Sequence, residues 1–352
     1  MRDWKTVRLG DVCEIVNGFA FDSKLFNTDK KGIPLIRIRD VIRGFSETYT
    51  TENADSRFLV KVGDLLIGMD GEFNCSLWKS EDSFLNQRVC KIVPNLELIN
   101  KDYVYYGLKG KLKEIEDKTS FVTVKHISSK QIENIVLKYP PLETQQQIVV
   151  QLDKCTALIA NQKQILEKYD TLIKSRFIEM TENSETELIR MGDIASYING
   201  YAFKPEDWSN TGKKKIRIQN LNDKKAIYNH FEGNLDKKFL VRKNDVLISW
   251  ATHLEAYIWD EEDAWLNQHI FKVVFDKRQV NKIYFVYSTE DALKIAFRNA
   301  HGFKPTMEHI KRADFENAEV KLPSLAVQEQ FATFVQQIDK SKFEYTYTGV
   351  AA

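Results

Sequence analysis

Few side chains in this sequence stand at spacings that support bond-making chemistry. Asp70 and Glu72, in Met69-Asp-Gly-Glu-Phe-Asn74, could supply a carboxylate pair for a metal-dependent nuclease. No Glu-x-Lys follows them, and the same residues serve as a turn after the apolar stretch 65–68. Gly107-Leu-Lys-Gly110-Lys111 is the nearest approach to a phosphate-cradling loop, but its spacing is wrong and no Ser or Thr follows the lysine. No GxGxxG occurs, so a dinucleotide or S-adenosylmethionine loop of that type is unsupported. Tyr139-Pro-Pro-Leu142 has the prolines of an amino-methyltransferase motif, yet carries tyrosine where an Asn or Asp must accept the amine's hydrogen bonds. A proline pair that ends a strand and stops the next helix from growing backwards is the better reading. The histidines at 126, 230, 253, 269, 301 and 309 are scattered, none in HExxH or beside a CxxC, so no metal site is expected.

Composition narrows the classes further. Lysine and arginine number 51 against 50 acidic residues, a net charge of +1, which argues against a nonspecific nucleic-acid coat. It leaves room for basic groups confined to one face, or for a chain that works inside a larger complex. No apolar run approaches the roughly 18 residues of a membrane span, and Met1-Arg-Asp-Trp-Lys-Thr6 lacks the apolar core of a signal peptide. Cys13, Cys75, Cys90 and Cys155 form no CxxC and read as buried thiols in a reducing cytoplasm.

The organising feature is an internal repeat. Leu9-Gly-Asp…Asn17-Gly-Phe-Ala-Phe21 recurs as Met191-Gly-Asp…Asn199-Gly-Tyr-Ala-Phe203, and Ile36-Arg-Ile-Arg-Asp-Val41 recurs as Ile216-Arg-Ile-Gln-Asn-Leu221. Asp64-Leu-Leu-Ile67 matches Asp245-Val-Leu-Ile248, and Leu85-Asn-Gln-Arg88 matches Leu266-Asn-Gln-His269. Pro140-x-Leu142-x-x-Gln145-x-Gln147 returns as Pro323-x-Leu325-x-x-Gln328-x-Gln330. Five collinear matches at one nearly constant offset, too long for a solenoid repeat, mean a duplicated domain. Within each copy, strand-like segments (33–39 and 64–68; 215–218 and 245–249) precede helical ones (102–113; 283–298), so each copy is expected to be a mixed α+β domain.

The stretch 143–180 differs in character. It holds no Pro or Gly, and positions 145, 148, 152, 155, 159, 162, 166, 169, 173, 176 and 180 follow the 3,4 spacing of a coiled-coil seam. A helix of that length extends about 57 Å at ~1.5 Å per residue, and its apolar stripe requires a partner helix. Gln328, Phe331, Val335, Ile338 and Lys342 repeat the register. There the pattern is expected to fail: Lys342 interrupts the seam, and Glu344-Tyr-Thr-Tyr-Thr-Gly-Val350 is a poor helix former. The expected organisation is therefore a first recognition domain at 1–140, a spacer helix at 141–182, a second domain at 183–322, and a shorter C-terminal helix at 323–352 that reads as truncated.

In order and duplication these motifs resemble the specificity (S) subunit of type I restriction-modification systems over essentially the whole chain. The most specific are the Pro-x-Leu-x-x-Gln-x-Gln helix starts and Gln337-Ile-Asp-Lys-Ser-Lys342. The resemblance implies two target-recognition domains, each reading half of a bipartite double-stranded DNA sequence. It implies helices that set the gap and dock modification (methyltransferase) subunits, with a restriction subunit joining that core. It implies no catalytic residue and no bound cofactor in this chain, S-adenosylmethionine and ATP with Mg belonging to the partners. A silent S-like copy that supplies recognition domains by recombination, or a coiled-coil scaffold, are the other readings.

Base edges are read by hydrogen bonds, Arg to guanine and Asn or Gln to adenine, while phosphate contacts position the protein. The candidates on that basis are Arg37, Arg39, Asp70, Asn74, Asn86, Gln87 and Arg88 in the first copy, and Gln219, Thr252, His253, Asn267, Gln268, His269 and Lys304 in the second. At each, a structural ion pair or cap is the competing role. The helix-interface candidates are Ile148, Leu152, Ile159, Leu166, Tyr169, Ile173, Phe331, Val335 and Ile338.

Overall fold

An unbroken apolar run such as Leu65-Leu66-Ile67 needs cover on both faces of a sheet, because successive strand side chains point to opposite sides. The computed structural model, which describes residues 4–118, 125–223, 225–301 and 310–348, provides such cover in two units, Met1–Ala160 and Asn161–Ala352.

The first unit begins with β1 (Lys5–Arg8), β2 (Cys13–Asn17), β3 (Phe26–Asn27), β4 (Ile33–Ile36) and helix α1 (Ile38–Arg43). It continues through β5 (Tyr49–Thr50), β6 (Leu59–Val60), β7 (Leu65–Gly68), β8 (Cys75–Leu77), β9 (Ser83–Leu85) and β10 (Val89–Pro94). Helices α2 (Lys101–Lys118) and α3 (Ser129–Glu133) precede β11 (Val136–Tyr139) and the long helix α4 (Leu142–Glu182), inside which the unit boundary falls. Strands β2-β10-β7-β8 form one antiparallel sheet, β3-β5-β4-β9-β6 a second in which β4 and β9 run parallel, and β1 pairs with β11. Leu65 and Ile67 share a core with Val104, Leu108 and Leu112 of α2, while Leu66 points into another with Ile36, Val41 and Trp78. Each such side chain contributes about 1.5–3 kcal/mol of burial.

The second unit repeats the scheme. It contains β12 (Thr186–Arg190), α5 (Met191–Ile194), β13 (Ser196–Asn199), β14 (Lys213–Ile216), α6 (Ile218–Asn222), β15 (Asn229–Phe231) and β16 (Leu240–Val241). After these come β17 (Val246–Ser249), β18 (Glu255–Ile258), β19 (Ala264–Leu266), β20 (Ile270–Val274), α7 (Lys282–His301), α8 (Arg312–Glu316), β21 (Glu319–Pro323) and α9 (Leu325–Thr348). The sheets are β13-β20-β17-β18, β15-β14-β19-β16 with β14 parallel to β19, and β12-β21. Val246 and Ile248 enter one core and Leu247 the other, as in the first unit.

Side-chain hydrogen bonds are duplicated along with the strands. Gln145 is buried; its Oε1 accepts from the Asn100 N–H (2.8 Å) and its Nε2 donates to the Pro140 carbonyl (2.8 Å). Gln328 does the same with Asn281 (3.0 Å) and Pro323 (2.8 Å). Gln145, placed by spacing in a helix seam, thus ties the start of α4 to the loop before α2, because a buried amide must satisfy both its donor and its acceptor. Lys91 donates to the Leu59 carbonyl (2.8 Å) and Lys272 to that of Leu240 (2.7 Å), pinning β10 and β20 to the edge strands of the neighbouring sheets.

Three sequence expectations need correction. The stretch 33–39 is strand only to Ile36: the Asp40 carboxylate accepts from the Arg37 N–H (2.9 Å) and starts α1 instead, as Asn220 does from Arg217 (3.1 Å) at α6. Cys155 is exposed, on the solvent side of α4, while the other three cysteines are buried. The last helix does not stop at Lys342 but runs to Thr348. It packs antiparallel on the second half of α4: Phe331 meets Phe177 (ring centroids 5.3 Å apart), and farther along, Lys342 Nζ reaches back to Asp170 Oδ1 (2.6 Å). The helix is anchored by Phe331 and Val335 in the core, and it continues past Lys342 despite the weak helix propensity of the β-branched and aromatic residues there.

Candidate nucleic-acid interface

The parallel pairs β4/β9 and β14/β19 fix where the Asn-Gln turns stand. Ile36 is in register with Leu85 and Ile216 with Leu266. Arg37 and Asn86, and likewise Arg217 and Asn267, therefore leave the same ends of adjacent strands. Gly18 and Gly200 hold the turns from the other side. The Phe19 N–H donates to the Leu85 carbonyl (2.8 Å) and the Tyr201 N–H to that of Leu266 (2.8 Å). A Cβ on Gly18 would sit 2.1 Å from the Asn86 carbonyl oxygen, and one on Gly200 2.0 Å from that of Asn267. The Asn-Gly-aromatic and Leu-Asn-Gln motifs, far apart in sequence, are thus two sides of one contact. Within each turn the Asn side chain accepts from the next N–H, Asn86 from Gln87 (2.9 Å) and Asn267 from Gln268 (2.8 Å).

In the first unit the loop after β7 completes the cluster. Met69 N–H donates to the Arg88 carbonyl (3.0 Å), and the Asn74 carbonyl accepts from Gly68 (2.9 Å). Asp70 stands between two exposed side chains: Arg88 Nη1 at 3.4 Å and His126 Nδ1 at 2.5 Å. Arg88 is thereby aimed by Asp70 rather than free. His126, passed over as one scattered histidine, is brought in from the segment before α3 by the Ile127 N–H bonding to the Met69 carbonyl (2.9 Å). Arg39, exposed on α1, donates to Thr48 Oγ1 (3.3 Å) and lies 3.6 Å from Asp40; Arg37 and Gln87 are exposed.

The second unit keeps the frame and changes the side chains. Trp250 stands where Met69 does, its ring against His269 (centroids 5.2 Å apart) and stacked on Phe271 (5.8 Å). Gln268 Nε2 donates to His269 Nε2 (3.1 Å). His253 Nε2 contacts Glu255 Oε2 (2.8 Å), which also accepts from Tyr257 (3.0 Å). Burial, then the neighbouring Glu255, pushes the Tyr257 phenol well above its usual pKa. Thr252 has φ +64°, matching φ +75° at Gly71 in the first unit. Gln219 is exposed on α6, and Lys304 lies outside the described residues. The difference between Met69-Asp70-Gly71 and Trp250-Ala251-Thr252-His253 at matched sites pointed to Trp250, but the spacing of the candidates gave no hint of Glu255 or His126, whose roles arise only when separate segments meet.

On the helices, Ile173, Phe331 and Val335 are buried in the second unit's core, with Ile338 packed against it and Leu166 and Tyr169 half-buried. In the first unit Ile148 and Leu152 are half-buried and Ile159 is 54% exposed. Among the described residues no three His, Cys, Asp or Glu side chains gather to hold a metal, and no helix is long and apolar enough to cross a membrane. The clusters present hydrogen-bond donors and acceptors in exposed loops, at Gln87, Arg88, Thr252 and His269, which is chemistry for recognition.

Comparison with known proteins agrees. Residues 1–169 and 183–348 each match the type I restriction modification DNA specificity domain. The specificity subunit of type I restriction enzyme EcoBI from Escherichia coli is 31% identical over 380 aligned positions, covering 95% of this chain and 79% of that protein. The MjaVIII specificity subunit of Methanocaldococcus jannaschii is 21% identical, covering 96% of this chain and 86% of its own length. The fold resembles the crystal structure of the type I S subunit from M. genitalium, with a TM-score of 0.54 at 14% identity over 99% of this chain and 92% of that one.

Proposed function

The chain belongs to the type I restriction-modification DNA specificity family, and from that premise we propose that its two units each read one half of a bipartite duplex sequence through the loops around Asn86–Arg88 and Asn267–His269. The chain itself performs no chemistry. Modification subunits dock on its helices and carry the S-adenosylmethionine-dependent methyl transfer, and a restriction subunit with ATP and Mg joins them in the cytoplasm.

One observation carries this reading. Two scaffolds with matched strands and matched hydrogen bonds display different residues at equivalent exposed positions, Arg88 against His269 and Gly71 against Thr252, over a changed support, buried Met69 against half-buried Trp250. A frame held constant under changed side chains is what two readers of different half-sites need, since direct readout depends on the donor and acceptor pattern presented to the bases. The test is an electrophoretic shift of the full chain with its modification subunits on randomised duplexes, followed by sequencing of the retained DNA. Two fixed sequence blocks separated by an unselected gap are expected. Retention of no DNA, or of all DNA alike, would leave a helical scaffold as the better account.

A further inference from the structure

Lys215 is out of place in an otherwise duplicated core. Its counterpart on β4, Leu35, is fully buried in the cluster with Phe21, Phe58 and Phe84. Lys215 on β14 is also buried, at 2% exposure, yet ends in an ammonium. That group lies 4.8 Å from the ring centre of Phe203 and 5.3 Å from that of Trp208. Among the described residues its one hydrogen bond is a long one, 3.3 Å, to the Asp207 carbonyl. An ammonium carries three donors, and cation–π contact compensates only partly for lost water. Burial accordingly holds its pKa below the usual lysine value, with Asp207 opposing and Arg217 assisting.

A second unsatisfied donor stands beside it. Arg217 Nε is buried with no hydrogen-bond partner, although the equivalent Arg37 is exposed. Lys215 and Arg217 line one cavity of about 170 Å³ with Phe203, Trp208, Asn229, Asn267 and Gln268. Asn267 Oδ1 already accepts from the Gln268 N–H (2.8 Å), and the two charged groups that line this cavity are both cationic donors. An occupant must bring acceptors and negative charge.

We infer that this cavity seats one backbone phosphate of the bound duplex, in the second unit alone, with Trp208 flanking the adjoining sugar. The inference rests on the DNA-reading function proposed above. A phosphate is favoured over a base edge by access. The lysine is buried beside Trp208, a residue that is itself 57% exposed; a phosphate projects from the duplex and can enter, whereas a paired base holds its edge within the stack. The first unit has Leu35 at the matched position and no such seat. One half-site would therefore be positioned by a contact the other lacks, which fixes the orientation of an asymmetric target.

The decisive variant is Lys215→Leu, which installs the residue the first unit already accommodates and so should unfold no earlier than the wild type. Duplex binding by the full chain with its modification subunits is measured against salt. The variant should bind on the order of tenfold more weakly, equally at all sequences, with the slope of log affinity against log salt reduced by about 0.9. Replacing single phosphates by neutral methylphosphonates should reveal one position that weakens the wild type and has no further effect on the variant. Unchanged affinity and slope would make Lys215 a core residue only, and a loss confined to one base pair would make the cavity a base reader; either overturns the inference. Failure of the DNA-reading proposal would look different, since wild type itself would then bind no duplex, and the inference would fall with it.

Discussion

The carbonyl oxygen of Asn86 occupies the space into which a side chain on Gly18 would project, 2.1 Å from where its Cβ would lie. The obstacle is backbone on both sides, and it recurs between Gly200 and Asn267 at 2.0 Å. Gly18→Ala should therefore displace the Asn86–Arg88 turn and cost at least about 2 kcal/mol. Gly200→Ala should do the same to the second unit. Denaturant unfolding measures the loss, and half-site binding locates it. Two alanine variants of wild-type stability would show that the turns yield easily.

Thr252 holds a left-handed backbone, φ +64°, at the position where the first unit has Gly71. A β-branched residue there carries about 1–3 kcal/mol of strain. Thr252→Gly should relieve part of it, raising stability by roughly 1 kcal/mol after the added freedom of the unfolded chain is subtracted. Gly71→Thr should lower stability by a similar amount. Thermal unfolding of the pair tests this; a Thr252→Gly variant less stable than wild type would mean the threonine side chain makes contacts worth more than the strain.

Asp70 pairs with both Arg88 and His126, so two substitutions that look alike should differ in outcome. Arg88→Ala removes a reading group and should relax one base position by about 1–3 kcal/mol. Asp70→Asn leaves the guanidinium but loosens its aim, so that overall affinity persists while discrimination at that position falls. His269→Ala should alter only the other half-site. Selection on randomised duplexes separates these outcomes, and an equal loss at every sequence for all three variants would assign the residues to structure.

The four cysteines should divide sharply by reactivity. Burial raises Cys13 and Cys90 to about 12 and Cys75 to about 11, from 9.0, whereas Cys155 is exposed on α4. Only the thiolate is nucleophilic, so maleimide at neutral pH should label one thiol per folded chain, at residue 155. The same shifts fix a pH dependence. Below about pH 9 the folded and unfolded thiols are both protonated, and burial costs nothing. Between 9 and 11–12 the unfolded chain releases protons the folded one retains, so stability falls as pH rises, by up to about 1.4 kcal/mol per thiol at pH 10. Rapid labelling of more than one cysteine at pH 7 would contradict the burial.

How much of this was legible beforehand depends on whether a residue's role is local. The duplication, the α+β character and the long helix were readable, because Leu65-Leu66-Ile67 and the 3,4 spacing of α4 are patterns within one segment. Gln145 shows the limit. Its spacing fits a helix seam, but its amide spans from Pro140 to Asn100, and only a fold can say that a loop 45 residues away supplies the second partner. His126 and Asp70, 56 residues apart, were invisible as a pair for the same reason. Lys342 misled in the opposite direction: read along its own helix it interrupts an apolar stripe, and its partner Asp170 stands on another helix, 172 residues earlier.

That last contact separates what holds α9 in place from what merely decorates it. Phe331 is fully buried among Phe177, Tyr284 and Tyr287, so Phe331→Ala should cost about 3–5 kcal/mol through lost burial and an unfilled cavity. The Lys342–Asp170 pair is partly open to water, the carboxylate side chain being 63% exposed, and such pairs contribute roughly 0–1 kcal/mol. Lys342→Met should therefore leave global stability nearly unchanged while keeping a long side chain in the helix. The difference should appear in how far the helix persists. Protection from hydrogen exchange near Phe334 should collapse in Phe331→Ala, whereas in Lys342→Met faster exchange should be confined to the last two turns. Salt should erase the second effect and not the first, since screening acts on an exposed pair and not on buried rings. If Lys342→Met destabilised the whole unit as much as Phe331→Ala, the ion pair and not the aromatic cluster would be what secures the C-terminal helix.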